Sequence, residues 1–315
     1  MDRLLYYVAL CLIKFLQALP VVWVARVGRA GGALFYWVDA RHRRVVTGNL
    51  TMCFGQEKSP AEIHALAREN FRRIGENFAC AVKTASMELE SLKQHMEAVG
   101  VEKLKLTGGP EADTSRVFAI GHFGNFEIFA RSIQLLPQYQ GATTYRALRS
   151  PALNHLLLSM REKSGTLFFE RRLDGAALRA AINRKNLFIG FLSDQHAGDN
   201  GLRLPFLGHD CSTTKAAAVF AMRYQLPLHT AICYRTRPGY WRIEVGDAIP
   251  THEQGEMRSA EAIMLDVNRA FEVAVRRDPA NWFWVHKRWK PAPKKVAVPK
   301  PAAESSGVMK TGDAV

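Results

Sequence analysis

Val117-Phe118-Ala119-Ile120-Gly121-His122-Phe123-Gly124-Asn125-Phe126-Glu127 is the stretch on which the fold turns. The apolar run Val117–Gly121 reads as a buried strand, and the residues after it read as a turn into a helix. Gly121 and Gly124 give the turn its backbone freedom, and Asn125 is a candidate N-cap. His122 and Glu127 are separated by four residues. On a continuous helix they would splay about 140° apart, so the pair makes sense only on a strand-to-helix turn. There an imidazole and a carboxylate can act as base and orienter, activating a hydroxyl for acyl transfer.

Downstream the pattern repeats. Strand-like runs at Val117–Gly121, Ala142–Arg146, Thr166–Glu170, Asn186–Ser193 and Pro227–Arg235 alternate with helical patterns at Asn125–Leu136, Pro151–Lys163, Asp174–Asn183 and Ser212–Gln225. Such alternation predicts an α/β fold, a mostly parallel sheet flanked by helices. Trp241–Ile249 adds a candidate strand and Ser259–Arg277 a long helix. Upstream, Ser59-Pro60-Ala61-Glu62 forms a capping box with Pro at N1. Ile63, Ala67, Phe71, Ile74, Phe78 and Val82 then recur at the helical period.

The chain has 315 residues, 48% of them hydrophobic, enough for a substantial core. Its 43 Lys and Arg against 29 Asp and Glu leave a net charge of +14, which points to a polyanionic partner. Nucleic acid is disfavoured because no recognisable binding signature is present; an anionic membrane fits the apolar and Trp-rich segments better. Cys11, Cys53, Cys80, Cys211 and Cys233 include no Cys-x-x-Cys pair, which argues against a disulfide framework or zinc site and for a reducing compartment. Cys53 and Cys80 fall in helical patterns and read as packing rather than nucleophiles. No His-Glu-x-x-His or Cys-His spacing marks a metal site. His155, His209, His229 and His252 have no partner pattern.

Leu4–Val24 contains twelve Leu, Ile, Val and Phe residues. They favour membrane insertion by roughly 4–7 kcal/mol in total, and Lys14 opposes it by about 2.5–3.5 kcal/mol. Residues 1–25 are expected to form a membrane-anchor helix, either spanning or lying in the interface. Arg26, Arg29, Arg41, Arg43 and Arg44 follow it and would leave the remaining chain on the cytoplasmic side. A disordered basic tail is expected over 291–315 from its Pro, Ala and Lys content. Trp282, Trp284 and Trp289, interleaved with His286, Lys287, Arg288 and Lys290, suit either a bilayer interface or an aromatic core.

Taken in order, several boxes resemble the lipid A biosynthesis (late) acyltransferases, a family related to the glycerolipid acyltransferases. They are Arg41-His42-Arg43-Arg44-Val45-Val46 with Asn49-Leu50 and Cys53-Phe54, the Gly121–Glu127 box, Tyr145-Arg146, Ser193-Asp194-Gln195-His196 with Gly198, Leu204-Pro205-Phe206-Leu207-Gly208, and Trp282–Lys290. Glu127, where glycerolipid enzymes usually carry Asp, tilts the resemblance to the lipid A branch. Gly165-Thr166-Leu167-Phe168-Phe169-Glu170-Arg171-Arg172 is similar to the second glycerolipid box. The third is a poorer match, with Asp194-Gln195-His196 standing in for Glu-Gly-Thr.

The resemblance implies an acyltransferase domain over 26–290 at the cytoplasmic face of the inner membrane. It would need no cofactor, draw on an acyl carrier protein thioester and act on a phosphorylated glycolipid acceptor. His122 would be the general base and Glu127 its orienter. Arg146, Arg149, Arg171 and Arg172 are the candidates for acceptor phosphates. Asp194, at a strand end, would bind or orient the acceptor, orient the His122 box, or cap its loop. Another amphiphile as acceptor, a hydrolase using the same pair, and a non-catalytic membrane-adhering protein are the competing readings.

Overall fold

The structure is a computed structural model that describes residues 2–106, 113–184 and 186–291, without the side chains of residues 2 and 3. From residue 292 onward the expected tail lies outside the described residues. Four helices open the chain: α1 Asp2–Ala18, α2 Val21–Val38, α3 Ala40–Phe54 and α4 Pro60–Thr84. Short α5 Leu89–Lys93 leads into β1 Met96–Val99. Strand and helix then alternate through β2 Arg116–Ile120, α6 Ile128–Ser132, β3 Gln140–Tyr145, α7 Pro151–Glu162, β4 Leu167–Glu170, α8 Gly175–Ile182 and β5 Leu187–Leu192. A hairpin of β6 Leu202–Phe206 and β7 His209–Thr213 precedes α9 Ala216–Tyr224. The remaining elements are β8 Leu228–Arg237, β9 Tyr240–Ile249, the two-residue strands β10 His252–Glu253 and β11 Glu256–Met257, and α10 Ala260–Arg277.

The central sheet has the order β1-β9-β8-β2-β5-β3-β4. β8, β2, β5, β3 and β4 run parallel, whereas β9 is antiparallel to β8 and carries β1 parallel to itself. Alternation along β2 explains why both sheet faces are covered. Val117 and Ala119 join a core with α3, α4, α8, α9 and α10. Phe118 and Ile120 point the other way, into a cluster with Leu104, Tyr139, Phe188, Ala231 and Val245. Each fully buried large apolar side chain in these clusters contributes roughly 1.5–3 kcal/mol.

α4 begins as its sequence dictates. The Ser59 backbone amide donates to Glu62 Oε2 at 2.8 Å, and the Glu62 amide donates to Ser59 Oγ at 3.3 Å. It packs closely on α2 because glycines face each other there: a Cβ at Gly28 would lie 2.5 Å from the Gly75 carbonyl oxygen. Beside this crossing Glu76 is fully buried. It accepts hydrogen bonds from Arg29 Nη1 at 3.2 Å, Arg235 Nε at 2.8 Å and the Gly239 amide at 3.2 Å, so the buried charge is compensated.

Three expectations need correction, and one open alternative is decided. Residues 1–25 do not form one helix: Pro20 separates α1 from α2, and α2 continues to Val38. Leu16, Val21, Val24 and Ala25 are buried against the body of the protein. Among the described residues no helix is long and apolar enough to cross a membrane. The helix expected over Asn125–Leu136 starts only at Ile128, after a turn, and passes into 3-10 geometry at Ile133–Leu135. Asn125 is therefore no N-cap; its amide donates to Thr84 Oγ1 at 3.3 Å. The helix expected from Ser212 begins at Ala216, because residues 209–213 pair with β6. Finally, of the two settings open to the C-terminal tryptophans, Trp282 and Trp284 occupy the core one, both 1% exposed or less.

Candidate active site

β2 and β5 are adjacent and parallel, with Ile120 opposite Leu192. Two residues past that pair, at the carboxyl ends where parallel sheets place their ligands, stand His122 and Asp194. Asp194 Oδ1 lies 2.8 Å from His122 Nδ1, and Oδ2 accepts the His122 backbone amide at 2.8 Å. The Trp282 indole also donates to Oδ2, at 2.8 Å. Burial would raise the Asp194 pKa, but the His122 charge and these hydrogen bonds outweigh it and hold the carboxyl at about 2. The carboxylate is therefore ionised at neutral pH, which fixes the tautomer of the neutral ring: Nδ1–H donates to Asp194 and Nε2 is left as the basic nitrogen.

The turn between strand and helix has no room for side chains at its glycines. A Cβ on Gly121 would fall 2.7 Å from the Phe123 ring. Gly124 has φ +51°, and a Cβ there would lie 2.6 Å from the Cys233 carbonyl oxygen. The turn is sewn to the C-terminal segment by the Gly124 amide, which donates to the Asn281 carbonyl at 3.0 Å. Phe126 and Phe283 flank the imidazole, with ring centroids at 4.7 and 5.7 Å. Two buried or half-buried amides hold that segment in place. Asn70 donates to the Ala280 and Trp282 carbonyls, and Asn49 to those of Trp284 and His286. Arg288, fully buried, donates to the Gln195 and Ser212 carbonyls and to Thr213 Oγ1.

His122 is 14% exposed, and it lines a cavity of about 1290 Å³. Two regions of that cavity differ in character. One is apolar and runs across the sheet face over Phe118, Ile120, Ala231 and Val245, beneath Phe129. The other is basic and lies at the rim, where Arg146, Arg171, Arg179 and Lys290 line the opening. Those three arginines are exposed and have no ion-pair partner among the described residues.

The sequence expectations map onto this geometry unevenly. His122 is at the cavity wall. Glu127 is not its orienter in the structure: both Glu127 oxygens are taken by Arg161, Nε at 3.1 Å and Nη2 at 2.5 Å. The Arg161 guanidinium lies 4.9 Å from the Phe168 ring centroid. Asp194, for which acceptor binding, orientation of the His122 box and loop capping were open, spends its oxygens on His122 and Trp282 and is 1% exposed. Arg146 and Arg171 reach the cavity; Arg149 and Arg172 are exposed and do not line it. Arg161, Gln195, Trp282 and Arg288 were given no individual role by their residue types. Box positions, Ser193–His196 and Trp282–Lys290, were the available signal for Gln195, Trp282 and Arg288, whereas Arg161 lies in none of the boxes. Burial pushes the Cys53 thiol up to about 12 and the Cys80 thiol upward too, so both are packing residues. No cluster of His, Cys, Asp and Glu able to hold a metal ion exists among the described residues.

A model of the bacterial lipid A biosynthesis acyltransferases matches residues 2–291. The chain belongs to that family. The lipid A biosynthesis lauroyltransferase of Escherichia coli is 22% identical over 283 residues, covering 88% of this chain and 89% of its own. The lipid A biosynthesis acyltransferase of Haemophilus influenzae is 21% identical over 299 residues, covering 92% and 91%. The chain is thus an acyltransferase of the late lipid A type, and it departs from those relatives at most positions.

Proposed function

We propose that this acyltransferase moves a fatty acyl chain from an acyl carrier protein thioester to a hydroxyl of a phosphorylated lipid A precursor, with His122 as general base and Asp194 as its orienter. The observation that carries the reading is the His122–Asp194 pair at the wall of a cavity that is apolar on one side and basic on the other. An alcohol is a weak nucleophile at neutral pH, and Nε2 offers the base it needs. As Nε2 takes the hydroxyl proton, the oxygen attacks the thioester carbonyl and its π pair moves to the carbonyl oxygen. On collapse the C–S bond breaks, and the departing thiolate takes the proton back from the imidazolium. Asp194 stabilises that imidazolium and keeps the ring in one tautomer.

The acyl chain lies on the apolar sheet face over Ile120 and Phe118. Arg146 and Arg171, joined by Arg179, meet the acceptor's phosphates, since a guanidinium fork matches phosphate oxygens. Glu127 acts through Arg161, holding the guanidinium at the cavity wall. The acceptor arrives from the membrane. α1 packs against both α4 and α7, which border the cavity, and leaves Val8, Leu12 and Phe15 exposed on one face. α2 likewise exposes Trp23, Phe35 and Trp37, near exposed Arg26, Arg41 and Arg44. Such a face suits helices lying in an anionic bilayer surface and supports the reading of a membrane-associated enzyme, whose proposed location is the cytoplasmic face of the inner membrane. Incubation with acyl carrier protein thioester and competing acceptors tests the reading. Product should form on the phosphorylated lipid A precursor and not on lysophospholipid; the reverse preference would overturn the acceptor assignment.

A further inference from the structure

The oxygen that becomes negative during acyl transfer needs a donor, and most of the obvious ones are occupied. In the catalytic turn the His122 amide is bound to Asp194, the Phe123 amide to the Gly121 carbonyl and the Gly124 amide to the Asn281 carbonyl. Arg161 has committed Nε and Nη2 to Glu127. One neutral donor stands beside the base. Gln195 Nε2 lies 3.4 Å from His122 Nε2, and its side chain lines the cavity.

The direction of that amide follows from charge. Asp194 is ionised and accepts a hydrogen bond from Nδ1–H, so in the neutral, base-competent ring Nε2 presents a lone pair. The Gln195 oxygen would be repelled there, and the NH₂ end must face the reacting centre. The backbone around it is held on both sides. Asp194, one residue before, is tied to His122 and Trp282 by three hydrogen bonds. The Gln195 carbonyl accepts from Arg288 Nη1 at 2.7 Å, and the His196 amide donates to His286 Nε2 at 2.9 Å. At 3.4 Å the contact with His122 is long for a hydrogen bond, so the incoming hydroxyl displaces it at small cost.

Resting on the proposed acyl-transfer function, we infer that Gln195 is a catalytic residue: its side-chain amide donates to the thioester carbonyl oxygen as that oxygen acquires negative charge. The base nitrogen and the amide nitrogen then bracket one carbon. His122 Nε2 receives the nucleophile's proton while Gln195 Nε2–H meets the oxyanion. An amide aimed in advance at that position acts without reorganisation, the condition under which such donors are worth most.

The test uses the full-length protein in detergent micelles with a long-chain acyl thioester. Thiol release and acylated lipid are measured separately for wild type, Gln195→Ala and Gln195→Glu. Thiol release should fall about 10²–10³-fold in kcat for both variants, with KM for donor and acceptor within about threefold and the unfolding temperature unchanged. Gln195→Glu keeps the shape but sets an acceptor against the oxyanion, and should be the slower. A kcat within about threefold of wild type, or a loss confined to KM, overturns the assignment; the latter would mean that Gln195 binds substrate only. If wild type releases thiol without acylating the lipid, the acceptor reading fails but this one does not, because attack by water generates the same oxyanion. If wild type cleaves no thioester at all, both fall.

Discussion

Glu127 gives both of its oxygens to Arg161, while the carboxylate on His122 comes from Asp194, 72 positions further along the chain. The box that carries His122 and Glu127 therefore serves two hydrogen-bonded pairs, not one. Each pair has its own expected behaviour.

Asp194→Asn keeps the size of the side chain but removes the charge that fixes the imidazole tautomer. By analogy with the loss of the carboxylate in a Ser-His-Asp triad, kcat should fall by about 10⁴, with the fold retained. Steady-state kinetics beside circular dichroism measure this. A fall of less than about tenfold would separate Asp194 from the base.

Glu127→Ala and Arg161→Ala should not add. Removing either leaves its partner without its hydrogen bonds, so the double variant should be no slower than the slower single. Additive losses in a double-mutant cycle would mean that the two side chains act independently.

Arg146→Met and Arg171→Met should raise KM for a phosphorylated acceptor, each by about 10-fold or more, as expected for a charge-assisted contact of about 1.5–3 kcal/mol. Arg149→Met and Arg172→Met should leave KM within about twofold. An acceptor lacking phosphate should not distinguish the first pair from wild type. Equal effects from all four would show that general positive charge, not the cavity rim, sets the affinity.

Replacing Leu12 and Phe15 on the exposed face of α1 by Asp should release the protein from anionic vesicles in flotation. Activity on a detergent-solubilised acceptor should stay near that of wild type. Continued flotation would remove α1 from the bilayer contact.

His286 supplies a pH signature. Burial lowers its pKa from the ordinary 6.5 to about 4, and the neutral ring accepts the His196 amide. A group whose native pKa is depressed in this way stabilises fully above about 6.5, and the contribution is lost as pH falls through about 4. Asp194, held at about 2, remains ionised over that window. The unfolding temperature of wild type should drop between pH 6.5 and 4, and His286→Asn should show a shallower slope; parallel curves would contradict this origin.

The parallel core was readable because β2 and β5 are apolar runs bounded by glycine and polar residues, a signal that survives without tertiary context. β1 was not: Met96–Val99 is mostly exposed and takes its strand geometry from pairing with β9. The β6–β7 hairpin was hidden for a different reason. Leu207 and Gly208 both have positive φ, +50° and +79°, joining Phe206 to His209 by a two-residue turn. Leucine is an uncommon choice at such a position, so the composition gave no warning. In the site, His122 stood out by residue type and setting, and Asp194 by its place at a strand end. That they meet depends on the register between two strands distant in sequence, which no local spacing encodes. The same holds for Trp282, which the C-terminal segment brings to Asp194, and for Gln195, which the end of β5 brings to the imidazole.

The central claim is that His122 abstracts the acceptor proton. The direct measurement is the rate of acyl transfer from carrier-protein thioester to lipid A precursor by purified wild type and His122→Ala, with circular dichroism and unfolding temperature recorded on the same samples. A fall of about 10²–10⁴ in kcat, the usual contribution of a general base, with an unchanged fold is the expected result. A folded His122→Ala protein that transfers acyl groups within about twofold of wild type would contradict it.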